Sequence, residues 1–329
     1  MGDIIRFNKV YIKGYASAVG KPESEGPLGK CFDLIENDMR FGEENWEMAE
    51  SELSRRCVEI LLKKYKINGD NVSLITGGDL LNQCIASAFA VSDSNIPYLG
   101  LYGACSTCAE GLIVGATMRE KTEKDVISFA SSHFCSAEKQ YRFPLEYGGQ
   151  RTPTSQTTVT GCGSFLISKT GKIKLSEGLI GRVKDGGITD ANNMGAAMAP
   201  AAADTILRYL KETKTAPSDY DVIATGDLGL EGFELTKQLL LEENVVLGDS
   251  FTDCGIKIFD TKTQDVHSGG SGCGCSAVVS AGYFFPLLEA GKIKKMLLIG
   301  TGALLSKISA FQGRTIPAVA HLVCLEREE

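Results

Sequence analysis

Cys105 lies in the stretch LYGACSTCAEGL, which reads from a short strand into a helix. Thr107 and Glu110 have the spacing of an S/T-x-x-E capping box, Gly103 permits a tight entry, and Ala109, Leu112, Ile113 and Ala116 continue an apolar stripe. Cys105 is therefore expected just ahead of a helix N-terminus. Unpaired amides and the positive end of the helix dipole would there lower a thiol pKa, and would equally attract a carboxylate. One geometry thus serves a nucleophile or an anion site, with Ser106, Thr107 and Cys108 beside it.

A second turn, HSGGSGCGCSAVV from His267 to Val279, is glycine-rich and opens onto small residues that start a helix. Such a run suits close backbone packing or direct backbone contact with a ligand, through Ser271, Gly272 and Cys273. If the two turns face each other, two helix N-termini converge on one pocket that favours a doubly negative small molecule. A rival chemistry is metal binding by the thiols of Cys105-x-x-Cys108 and Cys273-x-Cys275. It ranks lower, because both pairs sit at helix starts among small apolar residues and Cys-x-Cys is not the usual zinc-knuckle spacing; no metal site is expected.

The three histidines add little chemistry. His133 closes a strand, where packing or capping competes with a place in the site. His267 precedes the glycine-rich turn and can face a pocket, and His321 falls within the last strand. Met194 and Met198 stand in an alanine-rich segment ahead of a helix, and flexible methionines suit either tight packing or a pocket wall. The polar segment from Glu138 to Gln156 interleaves Tyr141, Phe143 and Tyr147 with Arg142 and Arg151, which fits a lid, a subunit contact or a solvated loop.

The elements that must position these groups alternate. A helical stripe runs from Asn45 to Lys64, a strand from Val72 to Thr76, a helix from Leu80 to Val91 and a strand from Ile96 to Tyr102. A helix from Ser106 to Lys121 follows, then strands from Asp125 to Ser131, Thr157 to Ser168 and Lys174 to Arg182. The second half repeats the order in matching words. VSLITGGDL answers DVIATGDLG, GACSTCAEGLIVGATM answers GCGCSAVVSAGYFFPL, DVISFASSH answers KMLLIGTGA, and TVTGCGSFLISK answers TIPAVAHLVCLE. Two copies are too few for a solenoid, so the expectation is a fused pair of α/β units with mostly parallel or mixed sheets and buried central helices. The units are placed at 1–175, carrying Cys105, and 176–329, carrying the glycine-rich turn.

Composition narrows the function classes. The 329 residues carry 34 Lys and Arg against 41 Asp and Glu, a formal charge of −7, so nucleic acid is not an expected partner. Hydrophobic residues are 43% and charged ones 23%, ordinary globular usage. No secretory signal is read, and the apolar run from Ala277 to Leu288 is too short to span a bilayer. Eleven cysteines without an export signal point to reduced thiols in a cytoplasmic compartment.

The repeat, the Cys105 turn, its glycine-rich counterpart and the strand TVTGCGSFLIS together resemble the thiolase-like superfamily, over nearly the whole chain. That resemblance implies a thiolase-like fold with a cysteine at the start of a buried helix. Departures are as informative. Where the condensing enzymes of that superfamily carry a histidine, this chain has Gly226-Asp227-Leu228-Gly229, and where ketoacyl synthases show Gly-Asn-Thr-Ser it has Gly272-Cys273-Gly274-Cys275. The acid–base groups for Claisen chemistry are missing at the positions that match.

A nearer resemblance rests on GPLGKCFD, NWEMAE, GDLLNQ, GACST, EYGGQ, GITD, MAPAAADTI, SGCGCSAVV and GTGALLS, spread from Gly26 to Ser306. These words are similar to the stage V sporulation protein AD family of endospore formers. The resemblance implies a catalytically degenerate thiolase fold that binds dipicolinic acid (pyridine-2,6-dicarboxylate) and works in sporulation and germination. The membrane proteins of the same operon are the implied partners, and the implied location is the cytoplasmic face of the inner forespore or spore membrane.

The expected ligand set is Cys105, Ser106, Thr107, Cys108, His133, Met194, Asp227, Ser271, Gly272 and Cys273. No resident cofactor is expected; calcium accompanying dipicolinate is left open, as is a homodimer formed around Tyr98 to Tyr102. The alternative is an acyltransferase of ketoacyl-synthase type with Cys105 as nucleophile and His133 or His267 as base.

Overall fold

The computed structural model describes residues 3–142 and 150–328, so Met1, Gly2, Phe143, Tyr147 and most of the word EYGGQ lie outside the described residues. Ten strands form the backbone of the sheet. They are β1 (Tyr11–Gly20), β2 (Val72–Gly78), β3 (Tyr98–Gly100), β4 (Asp125–Ser132), β5 (Gly161–Ser168), β6 (Ile173–Leu179), β7 (Val222–Thr225), β8 (Phe251–Asp253), β9 (Lys295–Ala303) and β10 (Ala318–Arg327). Their spatial order is β8-β7-β9-β10-β6-β1-β5-β4-β2-β3. Reading outward from the centre, β1-β5-β4-β2-β3 mirrors β6-β10-β9-β7-β8, strand for strand in chain order.

Pairing repeats as well as order. In each half the first and last strands pair antiparallel, the last pairs antiparallel with the fourth, and the remaining neighbours pair parallel. The sheet is therefore mixed rather than mostly parallel, because each half closes with a strand that runs back beside its first. The halves meet through β1 and β6, where only Tyr11↔Lys174 and Ile12↔Ile173 pair. The division at 175/176 falls inside β6.

Helices fill the space around the sheet. Helix α1 (Trp46–Tyr65) is capped by Asn45, whose side chain accepts from Met48 N, and buries Leu53, Cys57 and Leu61 on the outer face of the first half. Helix α2 (Thr107–Lys121) packs on β4 and β2 of the first half and on β9 and β10 of the second. Helix α3 (Phe134–Tyr141) follows β4, and helix α4 (Met194–Thr213) covers the outer face of the second half with Ala197, Ala201 and Ile206. Helix α5 (Gly229–Glu242) follows β7, and helix α6 (Cys273–Val279) packs on β5 and β4 across the dyad. Because α2 and α6 touch strands of both halves and share one apolar cluster, the sheet folds around them as a central layer.

Two sequence expectations fail locally. The helix expected from Leu80 begins only at Ile85, because Gln83 and Cys84 take left-handed φ of 63° and 51°. Met194 and Met198 lie within α4 rather than ahead of it; the alanine run is itself the helix, capped by Asn193, which accepts from Ala196 N at 3.2 Å.

Candidate functional site

The site forms where the two matching turns meet. Gly270 and Ser271 pair in parallel with Thr157 and Thr158, a two-stranded ladder that fixes the glycine-rich turn of one half against the other. Gly272, with φ of 100°, then turns the chain into α6. On the facing side Ala104 takes a left-handed φ of 51° and lifts Cys105 to the start of α2. Cys105 Sγ consequently lies 3.8 Å from Ser271 Oγ.

The capping box expected at Thr107 does not form. Ser106, not Thr107, precedes the helix, and its hydroxyl donates to Gly103 O at 2.6 Å. Thr107 Oγ1 donates to Ala104 O at 2.7 Å and accepts Gly103 N at 3.0 Å, so both hydroxyls hold the turn together. Glu110 Oε2 is buried with no hydrogen-bond partner among the described residues.

Asp227 changes the electrostatics of the second turn. Its Oδ2 accepts Ser271 Oγ at 3.0 Å and Gly272 N at 2.8 Å, and its Oδ1 accepts Thr301 Oγ1 at 2.8 Å. The amide that a ligand carboxylate was expected to use is thus taken by a carboxyl group of the chain itself. Gly274 N is likewise used, donating to Ser132 Oγ at 3.2 Å. Two amides at the second helix N-terminus, Gly272 N and Gly274 N, are thus already held by side chains of the chain.

The thiol follows from the same arrangement. Burial raises the Cys105 pKa well above its ordinary value, and the facing Asp227 carboxyl raises it further. The expected acidic thiol is therefore overturned: desolvation and a neighbouring negative group outweigh the helix dipole. Burial likewise raises Asp227. Asp253, pushed up to about 7 by burial, holds the Asp227 turn by accepting Thr225 Oγ1 at 2.7 Å and Leu228 N at 2.8 Å.

A cavity opens above Cys105. It encloses about 460 Å³ of empty space, part of it open to solvent, and the room inside it is narrow. Cys105, Ser271 and Met194 line it, as does Thr158 of the ladder. Residues the sequence did not single out for the site form the rest of the wall. Tyr102 and Tyr141 share a hydroxyl–hydroxyl hydrogen bond of 2.7 Å, Leu80 and Leu305 add apolar surface, and Arg142 and Glu138 form an ion pair at the wall. Arg142 is the one cation among the described lining residues. Its segment stood out in the sequence as aromatic and basic, but spacing alone does not direct it to Cys105.

The other expected residues lie elsewhere. Cys108 is buried beneath the turn, its thiol pushed up to about 12 by burial, and Cys273 Sγ donates to Ser131 O at 2.9 Å. His133 is fully buried against Phe41 and Trp46, with Nδ1 accepting Cys135 N and Nε2 donating to Met39 O at 2.8 Å. Burial lowers it to about 4, so it is a neutral cap of α3 with both nitrogens engaged. His267 pairs with Asp265 at 3.3 Å, and His321 Nδ1 accepts Gly181 N. None of the three histidines lines the cavity. Among the described residues no group of three or more His, Cys, Asp or Glu side chains is arranged to hold a metal ion, so the four thiols form no such centre.

Comparison with known proteins follows the same lines. A family model described as Stage V sporulation protein AD (SpoVAD) matches residues 4–326. The Stage V sporulation protein AD of Bacillus subtilis (strain 168) is 41% identical over 320 residues, covering 97% of this chain and 94% of that protein. Among solved structures, 3-oxoacyl-[acyl-carrier-protein] synthase III from Aquifex aeolicus VF5 aligns with a TM-score of 0.59 at 10% identity, over 96% of this chain and 99% of that one. A variant of OleA from Xanthomonas campestris aligns with a TM-score of 0.60 at 13% identity, over 98% and 99%. At such identities the structures share the thiolase-like fold, and the likeness carries no chemistry.

Proposed function

The chain belongs to the Stage V sporulation protein AD family, and from that premise we propose that it is a sporulation protein that binds dipicolinate, free or as its calcium chelate, in the cavity above Cys105. The observation that carries the reading is a narrow cavity in which Arg142 is the one cation among the described lining residues, on an apolar and aromatic wall. A flat pyridine ring suits the Tyr102–Tyr141 pair, Met194 and Leu80. One carboxylate would take the Arg142 guanidinium, and the Thr158 hydroxyl at the cavity wall would donate to the remaining polar edge. Each charge-assisted contact is worth about 1.5–3 kcal/mol, enough for micromolar binding after the costs of association.

Catalysis is not part of this reading. A thiol raised by burial and by Asp227, with no histidine in reach, lacks the activation an acyl-transferring cysteine needs. The acyltransferase alternative keeps one observation, Cys105 at the cavity wall, and trapping an acylated Cys105 after incubation with acyl-coenzyme A would restore it.

The proposed setting is uptake of dipicolinate into the forespore and its release at germination, beside the membrane proteins of the same operon. No helix among the described residues is long and apolar enough to cross a membrane, which suits a peripheral place on the inner forespore membrane. A second copy of the chain would dock along the edge strand β3, where Leu99 is 42% exposed.

Calorimetric titration of the full chain with dipicolinate, with and without calcium, tests the reading. Saturable binding is expected, tighter than that of pyridine-2-carboxylate, which lacks one carboxylate. No heat at millimolar ligand overturns it.

A further inference from the structure

Glu138 and Arg142 stand one turn apart on and just beyond α3, and their ion pair forms part of the cavity wall. Both side chains are nearly buried, 12% and 13% exposed, unlike an ordinary helix-surface pair. Among the described residues Arg142 makes one further side-chain hydrogen bond, from Nη2 to Gln156 O at 3.4 Å, which leaves Glu138 as its main partner there. The cation best placed to receive a ligand carboxylate is already holding one.

We propose that Glu138 is a built-in competitor for the ligand, occupying Arg142 while the cavity is empty and giving it up when a dicarboxylate enters. The inference rests on the proposed dicarboxylate site and adds its regulation. Displacement leaves Glu138 in a buried position without its main counter-charge, so it takes up a proton from solvent as Arg142 turns to the ligand.

The groups around Glu138 set the sign of that coupling. Arg142 and Arg151 favour its carboxylate, while burial already raises its pKa. Arg151 is committed to Thr157 Oγ1 at 2.6 Å and to Asp265, so it does not replace Arg142. Cys135 on the same helix, and the hydroxyls of Tyr102 and Tyr141 and the thiol of Cys105 across the cavity, carry no charge near neutrality, each raised by burial. Asp227 lies behind Ser271. Losing Arg142 therefore raises Glu138 further, binding consumes a proton, and affinity falls as pH rises.

The test is calorimetry of the full chain with dipicolinate from pH 6 to 8, in two buffers of different ionisation heat, on the native chain and on Glu138→Gln. The native chain is expected to take up a fraction of one proton on binding, with affinity falling by at most about tenfold per pH unit. E138Q is expected to bind several-fold more tightly at pH 8, with no proton uptake and a flat pH profile. Binding by both chains with equal affinity and equal pH dependence overturns the competitor while leaving the dipicolinate site standing. Binding by neither overturns both, and binding by E138Q alone supports both. Should E138Q fail to fold, zero proton uptake by the native chain overturns the inference by itself.

Discussion

Asp227 Oδ2 accepts the Gly272 amide at 2.8 Å, so a buried carboxyl group occupies the end of α6 where an incoming anion would otherwise dock. The same carboxyl faces Cys105 and, after burial, is the main influence holding its thiol protonated. Asp227→Asn keeps an acceptor for Gly272 and removes the negative charge. The Cys105 pKa should then fall while staying above that of a free cysteine, because burial is unchanged. Carbamoylmethylation of Cys105, followed by peptide mass mapping between pH 7 and 10, reads this as a several-fold faster reaction; equal rates in both chains would sink the assignment.

Arg142 supplies the one positive charge among the described residues of the cavity wall. Arg142→Gln should weaken dipicolinate about ten- to a hundredfold, the worth of one charge-assisted contact. Arg142→Lys should recover part of the loss, since a point charge replaces a planar fork. Calorimetry on the three chains checks the order native, Lys, Gln; an unchanged affinity in the Gln variant would move the ligand elsewhere.

How much of this was legible in the sequence varies with the range of the interaction. The matching words mark β2 with β7, β4 with β9 and β5 with β10, because buried strands must repeat their apolar runs wherever a fold repeats. The helical stripe of α1 is a local signal and is obeyed. The position of the Cys105 turn is legible in the sequence and its hydrogen bonds are not, since a left-handed Ala104 redirects Ser106 and Thr107 to carbonyls. Asp227 could be placed by position, whereas its role depends on Thr301, 74 residues away, and on Asp253. Glu138 and Arg142 have visible i,i+4 spacing, yet nothing local says that α3 delivers them to a cavity on the far side of β4.

Close packing behind the Cys105 turn gives a stability test. A Cβ on Gly302 of β9 would stand 2.2 Å from Gly103 O and 3.0 Å from Ser106 N, both main-chain atoms of the turn. Gly302→Ala should cost about 1–3 kcal/mol in urea unfolding and displace Cys105 enough to weaken ligand binding. Gly69→Ala, whose Cβ would meet only Ile96 Cδ1 at 3.6 Å, is the control, expected within about 0.5 kcal/mol of the native chain. Equal losses at the two positions would show that the turn tolerates displacement.

Buried acids give the chain a pH dependence of known sign. Glu23 is 1% exposed; its Oε1 accepts Thr160 N at 2.8 Å, its Oε2 has no partner among the described residues, and burial pushes it up to about 8. Glu50, held by Ser131 and Ser136, is raised by burial and by the nearby Asp79. In the unfolded chain a glutamate has a pKa of about 4.3, so between that value and about 8 the folded state binds more protons than the unfolded one. The stability these groups lend is complete below about pH 4 and is lost as pH climbs toward 8. Glu23→Gln keeps the shape without the titration, so its thermal midpoint should fall less than that of the native chain between pH 6 and 9. Differential scanning fluorimetry across that range decides the point. Parallel curves would mean that Glu23 is ionised in the folded chain and that a partner for Oε2 offsets its burial.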